Sequence, residues 1–79
     1  MKYKLWCNQR ECYSHNEHIF NSLEEIKQTL KDYHKESYLE ACDTRKEKSY
    51  FDKISLSELL LYYEWEIHNA KTEEFIFIK

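Results

Sequence analysis

Glycine and proline are both absent from this chain of 79 residues. Phosphate-cradling loops and dinucleotide-binding turns need glycine, because the backbone there must approach the ligand closely. The sequence therefore excludes both kinds of nucleotide site. Helix ends and tight turns also usually rely on glycine. We expect Asn, Asp, Ser and Lys to take these positions instead.

A surplus of basic residues is also missing. Lys and Arg number 12 against 15 Asp and Glu, which gives a formal net charge of −3, and neither half of the chain is positive. Surfaces that bind nucleic acid directly carry clustered positive charge, so we do not expect direct nucleic-acid binding. The acidic excess is too small to indicate a mimic of DNA.

The sequence has no long apolar run. No stretch approaches the roughly 20 apolar residues that span a bilayer, and none follows the charged start Met1–Lys4. We therefore expect neither a signal peptide nor a membrane partner. The three cysteines are an odd number, which favours a reducing compartment over a disulfide framework. The expected location is the cytoplasm.

The composition is that of one folded domain covering residues 1–79. Hydrophobic residues make up 42% and charged residues 34%, proportions that argue against disorder. Aromatic residues reach 16%. Because each aromatic side chain can bury a large area, a short chain can build a core from few positions.

Two patterns in the first half predict a strand and a helix. Residues 2–7 alternate with a period of two, which predicts a strand with Trp6 on the face opposite Leu5 and Cys7. The segment Ser22–Glu25 is a capping box, and the apolar spacing after it predicts a helix from Leu23 to about His34. Residues 35–42 extend this helix or form a second one. Loops are expected over 8–21 and 43–49.

The second half predicts a short helix and two strands. Ser55–Glu58 is another capping box, followed by one to two helical turns. Residues 62–68 alternate, with Tyr62, Glu64 and Glu66 on one face. The last segment, residues 74–79, is apolar on both faces, which is typical of a central strand. The predicted fold is α+β: a three-stranded, mostly antiparallel sheet in the order β-α-(α)-α-β-β, with two or three helices packed on one face.

One set of residues has the chemistry of a zinc site. Cys7, Cys12, His15 and His18 supply thiolate and imidazole ligands within twelve residues, and zinc would help a small domain to fold. The spacing differs from the usual pairs of cysteines on a tight turn. The alternative is a buried Cys7 beside a polar loop, and the sequence predicts no resident metal or cofactor.

Cys42 is the candidate nucleophile, with His34 or His68 as its base. The competing interpretation places Cys42 in an apolar patch beside Ala41. No orienting group or oxyanion donor is evident in the sequence. We therefore predict that the protein is not an enzyme.

An interaction surface is predicted from Trp6, Tyr62, Glu64 and Glu66. Aromatic residues dominate interface hot spots, and the carboxylates would add an acidic contact surface. Two alternatives stay open: a solvated row of carboxylates, and a second small core on this sheet face, covered by residues 8–21.

The chain resembles small proteins of phages and mobile elements in AT-rich bacteria. The resemblance is carried by the opening Met1–Cys7, the helix start Ser22–Glu25 and the segment Ser55–Ile67. It implies a class in which a small product binds and inhibits or modulates one host protein, such as a defence nuclease or another nucleic-acid enzyme, in the host cytoplasm. The leading hypothesis is therefore a non-enzymatic protein-binding module. Pairing of the last strand with another copy stays open.

Overall fold

The computed structural model describes residues 1–14 and 16–79, and its secondary structure confirms the α+β class. Within these residues the chain forms four strands, three α-helices and one 3-10 turn. In chain order they are β1 (Tyr3–Cys7), β2 (Cys12–Tyr13), α1 (Leu23–Ala41), α2 (Arg45–Tyr50), the 3-10 turn (Phe51–Lys53), α3 (Leu56–Tyr63), β3 (Trp65–Asn69) and β4 (Phe75–Ile76).

The sheet has the strand order β2-β1-β3-β4, and each neighbouring pair is antiparallel. Strands β1 and β3 form the centre and pair along their whole length, from Tyr3 opposite Asn69 to Cys7 opposite Trp65. The three-stranded prediction missed β2, because two residues are too few to show alternation. The prediction of a central C-terminal strand is wrong: β4 lies at the edge and pairs with β3.

Of the two predicted alternatives for residues 35–42, extension of the first helix is confirmed, and a second helix lies where a turn was expected. Helix α1 begins at the predicted cap, where the hydroxyl of Ser22 accepts the Glu25 N–H at 3.1 Å. It continues past His34 to Ala41, and Tyr38 near its end packs on Phe51. Helix α2 has no buried residue. Apolar periodicity therefore cannot reveal it.

The third helix displaces the start of the predicted 62–68 strand. Its capping box between Ser55 and Glu58 is confirmed. The helix runs through Tyr63, and Glu64 then ends it in the left-handed conformation, with φ 61° and ψ 48°. This turn redirects the chain so that β3 starts at Trp65. Tyr62 therefore belongs to a helix and not to the sheet.

The core lies between the helices and one face of the sheet. Leu5 and Ile67, which are cross-strand partners in β1 and β3, are fully buried beneath the helices. The helices cover them with fully buried side chains of their own, namely Ile26, Leu30 and Leu59. None of the helices in residues 1–14 and 16–79 combines the length and apolar composition that a membrane crossing requires.

Left-handed backbone positions are occupied by residues with side chains, since no glycine is present. Positive φ angles occur at Glu11, Asn16, Glu17, Glu64 and Glu73 among the residues described. For residues other than glycine this conformation costs about 1–2 kcal/mol, because Cβ crowds the following carbonyl oxygen. Substitution of such a residue by glycine would therefore remove this conformational strain from the turn.

Glu11→Gly is expected to stabilise the protein. Glu11 is exposed and has a φ of 50° in the β1–β2 turn. Relief of the Cβ contact outweighs the added freedom of the unfolded chain, so we expect about 0.5–1 kcal/mol more unfolding free energy. Urea denaturation measures the change. As a control, Glu36→Gly in exposed α1 should cost about 1 kcal/mol. A loss of stability in both variants would contradict the prediction.

Candidate functional site

The two cysteines of the zinc hypothesis are brought together, but its described histidine is engaged elsewhere. Cys7 and Cys12 are cross-strand partners in β1 and β2. The ring of His18 packs on Phe20 with centroids 4.8 Å apart, and its Nε2 lies 3.6 Å from a carboxylate oxygen of Glu25. The fourth predicted ligand, residue 15, lies outside the described residues. Among the residues that the structure describes, no group of three or more His, Cys, Asp or Glu could hold a metal ion.

The histidines proposed as bases for Cys42 have other partners. Cys42 directly follows α1. His34 stacks on Tyr63 with ring centroids 3.6 Å apart, and its Nε2 accepts the indole N–H of Trp65 at 2.9 Å. His68 lies in β3 and contacts residues of the sheet. These contacts give the nucleophile hypothesis no orienting partner.

The sheet face turned away from the helices, here called the open face, carries six side chains that the strand register places together. Trp6 lies opposite both Tyr13 and Glu66, and His68 lies opposite both Lys4 and Phe75. Because side chains alternate along a strand, these residues share the face opposite Leu5 and Ile67. The open face therefore consists of Lys4, Trp6, Tyr13, Glu66, His68 and Phe75.

Four rings of the open face form a continuous aromatic row, in the order Tyr13, Trp6, His68, Phe75. Trp6 meets Tyr13 edge-on at 5.0 Å and stacks on His68 at 5.6 Å, measured between ring centroids. Phe75 follows at 6.4 Å from His68. Trp6 is half-buried. The rings of the row therefore shield one another in part, and Tyr13 of β2 is one of them.

A hydrogen-bonded chain crosses this row. The hydroxyl of Tyr13 lies 2.9 Å from Nδ1 of His68, and Nε2 of the same ring lies 3.0 Å from a carboxylate oxygen of Glu66. With the hydroxyl donating to Nδ1, the Nε2–H donates to Glu66. Burial, followed by the charge of Glu73, raises the pKa of Tyr13. The phenol therefore stays protonated at neutral pH, and the chain orients side chains without supplying a nucleophile.

Lys4 is held at the same face by two carboxylates. Its Nζ lies 3.1 Å from Glu73 and 3.4 Å from Glu17, and 4.9 Å from the centre of the Tyr13 ring. Only 14% of its side chain is exposed. The hydrogen bond to Glu73 is the largest cause that raises the pKa of Lys4. The ammonium is therefore already paired within the molecule.

A second surface, at the edge of the sheet, shares Glu66 and Phe75 with the open face and exposes large apolar side chains. Leu61 of α3 is 84% exposed, and Phe75 and Phe77 are 58% and 72% exposed. They border a groove of 370 Å³ between α3 and the C-terminal segment, which we call the edge groove. Two carboxylate residues, Glu64 and Glu66, also line this groove. It is therefore apolar inside with an acidic rim.

The backbone beside the edge groove is an unpaired strand edge. In the described part of the chain β4 hydrogen-bonds on one side only, to β3. Ile76 and Ile78 pack partly against the core, while Phe75 and Phe77 alternate with them and stay exposed. The two-sided apolarity that suggested a central strand therefore reflects an edge strand with one exposed apolar face.

The predicted interaction residues fall into separate places. Trp6 and Glu66 are cross-strand partners on the open face. Glu64 lies at the end of α3, where its carboxylate accepts the side-chain N–H of Gln9 at 2.8 Å, and it joins Glu66 at the rim of the edge groove. Tyr62 is 66% exposed on α3 and packs its ring on Tyr63, apart from the open face.

Sequence reasoning missed the apolar residues of the groove. Leu61 was not singled out, and Phe75 and Phe77 were assigned to a central strand. No signal in the sequence identifies them, because Phe75–Ile78 is apolar at every position and shows no polar–apolar alternation that would mark an exposed face.

Comparison with protein-family models, with curated proteins and with solved structures returned no match for this chain. Its function must therefore be argued from its own surfaces.

Proposed function

We propose that this chain is a protein-binding module without catalytic activity of its own, and that it binds through the edge groove. The observation that carries the proposal is the exposure of Leu61, Phe75 and Phe77 beside an unpaired strand edge. Proteins that stay monomeric usually blunt such an edge with charge or cover it. The segment Phe75–Ile78 contains no charged residue.

The energy available at this surface is adequate for specific binding. Complete burial of a Leu or Phe side chain contributes about 1.5–3 kcal/mol relative to exposure. Three such side chains at the centre of an interface can act as its hot spots, while polar residues around them exclude water. The acidic rim then affects the choice of partner and the rate of encounter.

The partner we propose is an extended protein segment with apolar and basic residues. Such a segment can add to β4 as a further strand, with main-chain hydrogen bonds for affinity and side-chain pockets for specificity. Its Lys or Arg residues would meet Glu64 and Glu66 at the rim. A second copy of this chain fits less well, because it would bring a like-charged rim and a net charge of −3 to the same surface.

The resemblance to phage and mobile-element proteins suggests which kind of partner this module would bind. The partner would be a host protein with a basic surface, such as a defence nuclease or another enzyme that acts on nucleic acid. Nucleic-acid enzymes carry basic surfaces because they must attract phosphate. By occupying such a surface, the module would inhibit or modulate the host protein through occlusion.

A peptide library tests the proposal directly. The library contains strand-length peptides of about six residues with alternating apolar and Lys or Arg residues, and a matched set has Glu in place of the basic residues. We expect the basic set to bind, to weaken as salt is raised, and to slow amide hydrogen exchange at residues 75–78. Equal retention of the acidic set, or protection at β2 instead of β4, would refute it.

A further inference from the structure

The β1–β2 hairpin places two free cysteines directly opposite each other. Cys7 and Cys12 are cross-strand partners at the two ends of the turn formed by residues 8–11. Directly opposed residues in antiparallel strands have Cα atoms about 4.5–5.5 Å apart, and a disulfide needs about 4.4–6.8 Å. Their side chains also share one face of the sheet. The register therefore places the two Cα atoms in the range of separations that a disulfide spans.

The two thiols differ in access and in environment. Cys12 is exposed on the edge strand, whereas Cys7 is buried. Burial by itself raises the pKa of Cys7, but hydrogen bonds from the Arg10 side chain and from the backbone N–H groups of Arg10 and Gln9 outweigh it, so the net pKa is lowered. One cysteine thus meets solvent, and the other, beside it, has a lowered pKa.

We propose that Cys7 and Cys12 form an oxidisable dithiol, a modification site that hydrogen peroxide converts to a reversible disulfide. In the first step the Cys12 thiolate attacks one peroxide oxygen, the O–O bond breaks, and Cys12 sulfenic acid and hydroxide form. In the second step the Cys7 thiolate attacks the Cys12 sulfur, the S–O bond breaks, and hydroxide leaves. Over both steps two thiols lose two electrons and two protons, and one peroxide becomes two waters.

The remaining cysteine is placed differently. Cys42 directly follows α1 and is half-buried. It has no cross-strand cysteine partner within the described residues. Cys42 therefore serves as an internal control for selectivity, since random oxidation would involve all three thiols.

Trypsin provides a sharp readout, because Arg10 lies inside the loop that the disulfide closes. The reduced full chain is incubated with hydrogen peroxide and a chelator, alkylated, and digested. We expect the peptide ending at Arg10 and the peptide starting at Glu11 to stay linked, with the loss of two hydrogen atoms, and to separate on addition of dithiothreitol. Cys42→Ser should give the same product, and Cys12→Ser should give none.

Arg10→Gln tests the environment of the thiols, and it leaves both cysteines in place. Disulfide formation is expected to be about tenfold slower, because Cys7 loses the side-chain donor that supports its thiolate. Peptide mapping then uses a protease that cleaves at Glu11. Oxidation of the wild-type protein to disulfide-linked dimers, to Cys42 disulfides, or to Cys12 sulfonic acid with Cys7 unchanged would overturn the proposal. The peptide-library result does not affect this outcome.

Discussion

A Leu61→Ser, Phe77→Ser double variant is expected to bind the basic peptides at least about a hundredfold more weakly than the wild-type protein. Hot-spot side chains at the centre of an interface cost about 2 kcal/mol or more each when truncated. Both side chains are largely exposed in the free protein. Their removal should therefore leave the fold intact. Isothermal titration calorimetry measures the affinity, and thermal unfolding checks the stability.

Tyr62→Ser supplies a matched control for this variant. Tyr62 is adjacent to Leu61 on α3 and is also largely exposed, but its ring packs on Tyr63 and does not line the edge groove. We expect the affinity of this control to stay within about twofold, as for residues outside a hot spot. If Tyr62→Ser weakened binding as much as the double variant, the binding surface would lie on another face of α3.

The largest effect on stability is expected at Trp65. This residue begins β3, is buried, and donates its indole N–H to His34 of α1, so it connects the sheet to the first helix. Trp65→Ala should cost about 3–5 kcal/mol. A domain of this length has a total stability of about 4–12 kcal/mol. Trp65→Phe, which keeps most of the packing and loses the hydrogen bond, should cost about 1–2 kcal/mol.

The same contact predicts a dependence on pH. Burial lowers the pKa of His34. The contribution of this residue to stability is therefore present in full above the unfolded pKa of about 6.5, and it is lost as the pH falls toward the lower folded value. Between the two pKa values the unfolded chain binds the extra proton more readily than the folded protein does. Protonation would also occupy the Nε2 lone pair that accepts the Trp65 indole.

His34→Gln separates titration from packing. A Gln side chain can still accept the indole N–H but does not ionise. Between pH 7 and pH 5, urea denaturation should show a fall in unfolding free energy for the wild-type protein and a flatter profile for His34→Gln. Identical slopes for the two proteins would contradict the assignment to His34.

The parts of the fold that the sequence predicted are those with strong local signals. The alternation in residues 2–7 gave β1, and the two capping boxes marked the starts of α1 and α3. Strand β2 has two residues and α2 has no buried side chain, so neither leaves an apolar pattern. The position of β4 depends on which strands compete to pair with β1, and this is decided by tertiary packing.

The acidic residues of the candidate site were predicted from the sequence, but its exposed apolar residues were not. Glu64 and Glu66 were singled out because they alternate with apolar residues in the sequence, although only Glu66 lies in a strand. Their apolar neighbours Phe75 and Phe77 were assigned to a core, because hydrophobicity alone does not distinguish a buried side chain from an exposed one. Tyr62 was assigned to a strand, although it lies in α3. The left-handed residue that ends α3 is Glu64 and not a glycine, so the sequence has no typical signal for the end of this helix.

The central pairing of β1 with β3 has a consequence for biosynthesis. Leu5 lies opposite Ile67, so about 60 residues separate the two strands that form the middle of the sheet. During translation, β1 leaves the ribosome well before its partner β3. The β1–β2 hairpin and helix α1 can form in the meantime from local contacts, whereas the centre of the sheet cannot. The central pairing of this domain is therefore expected to form only after residues 65–69 have emerged.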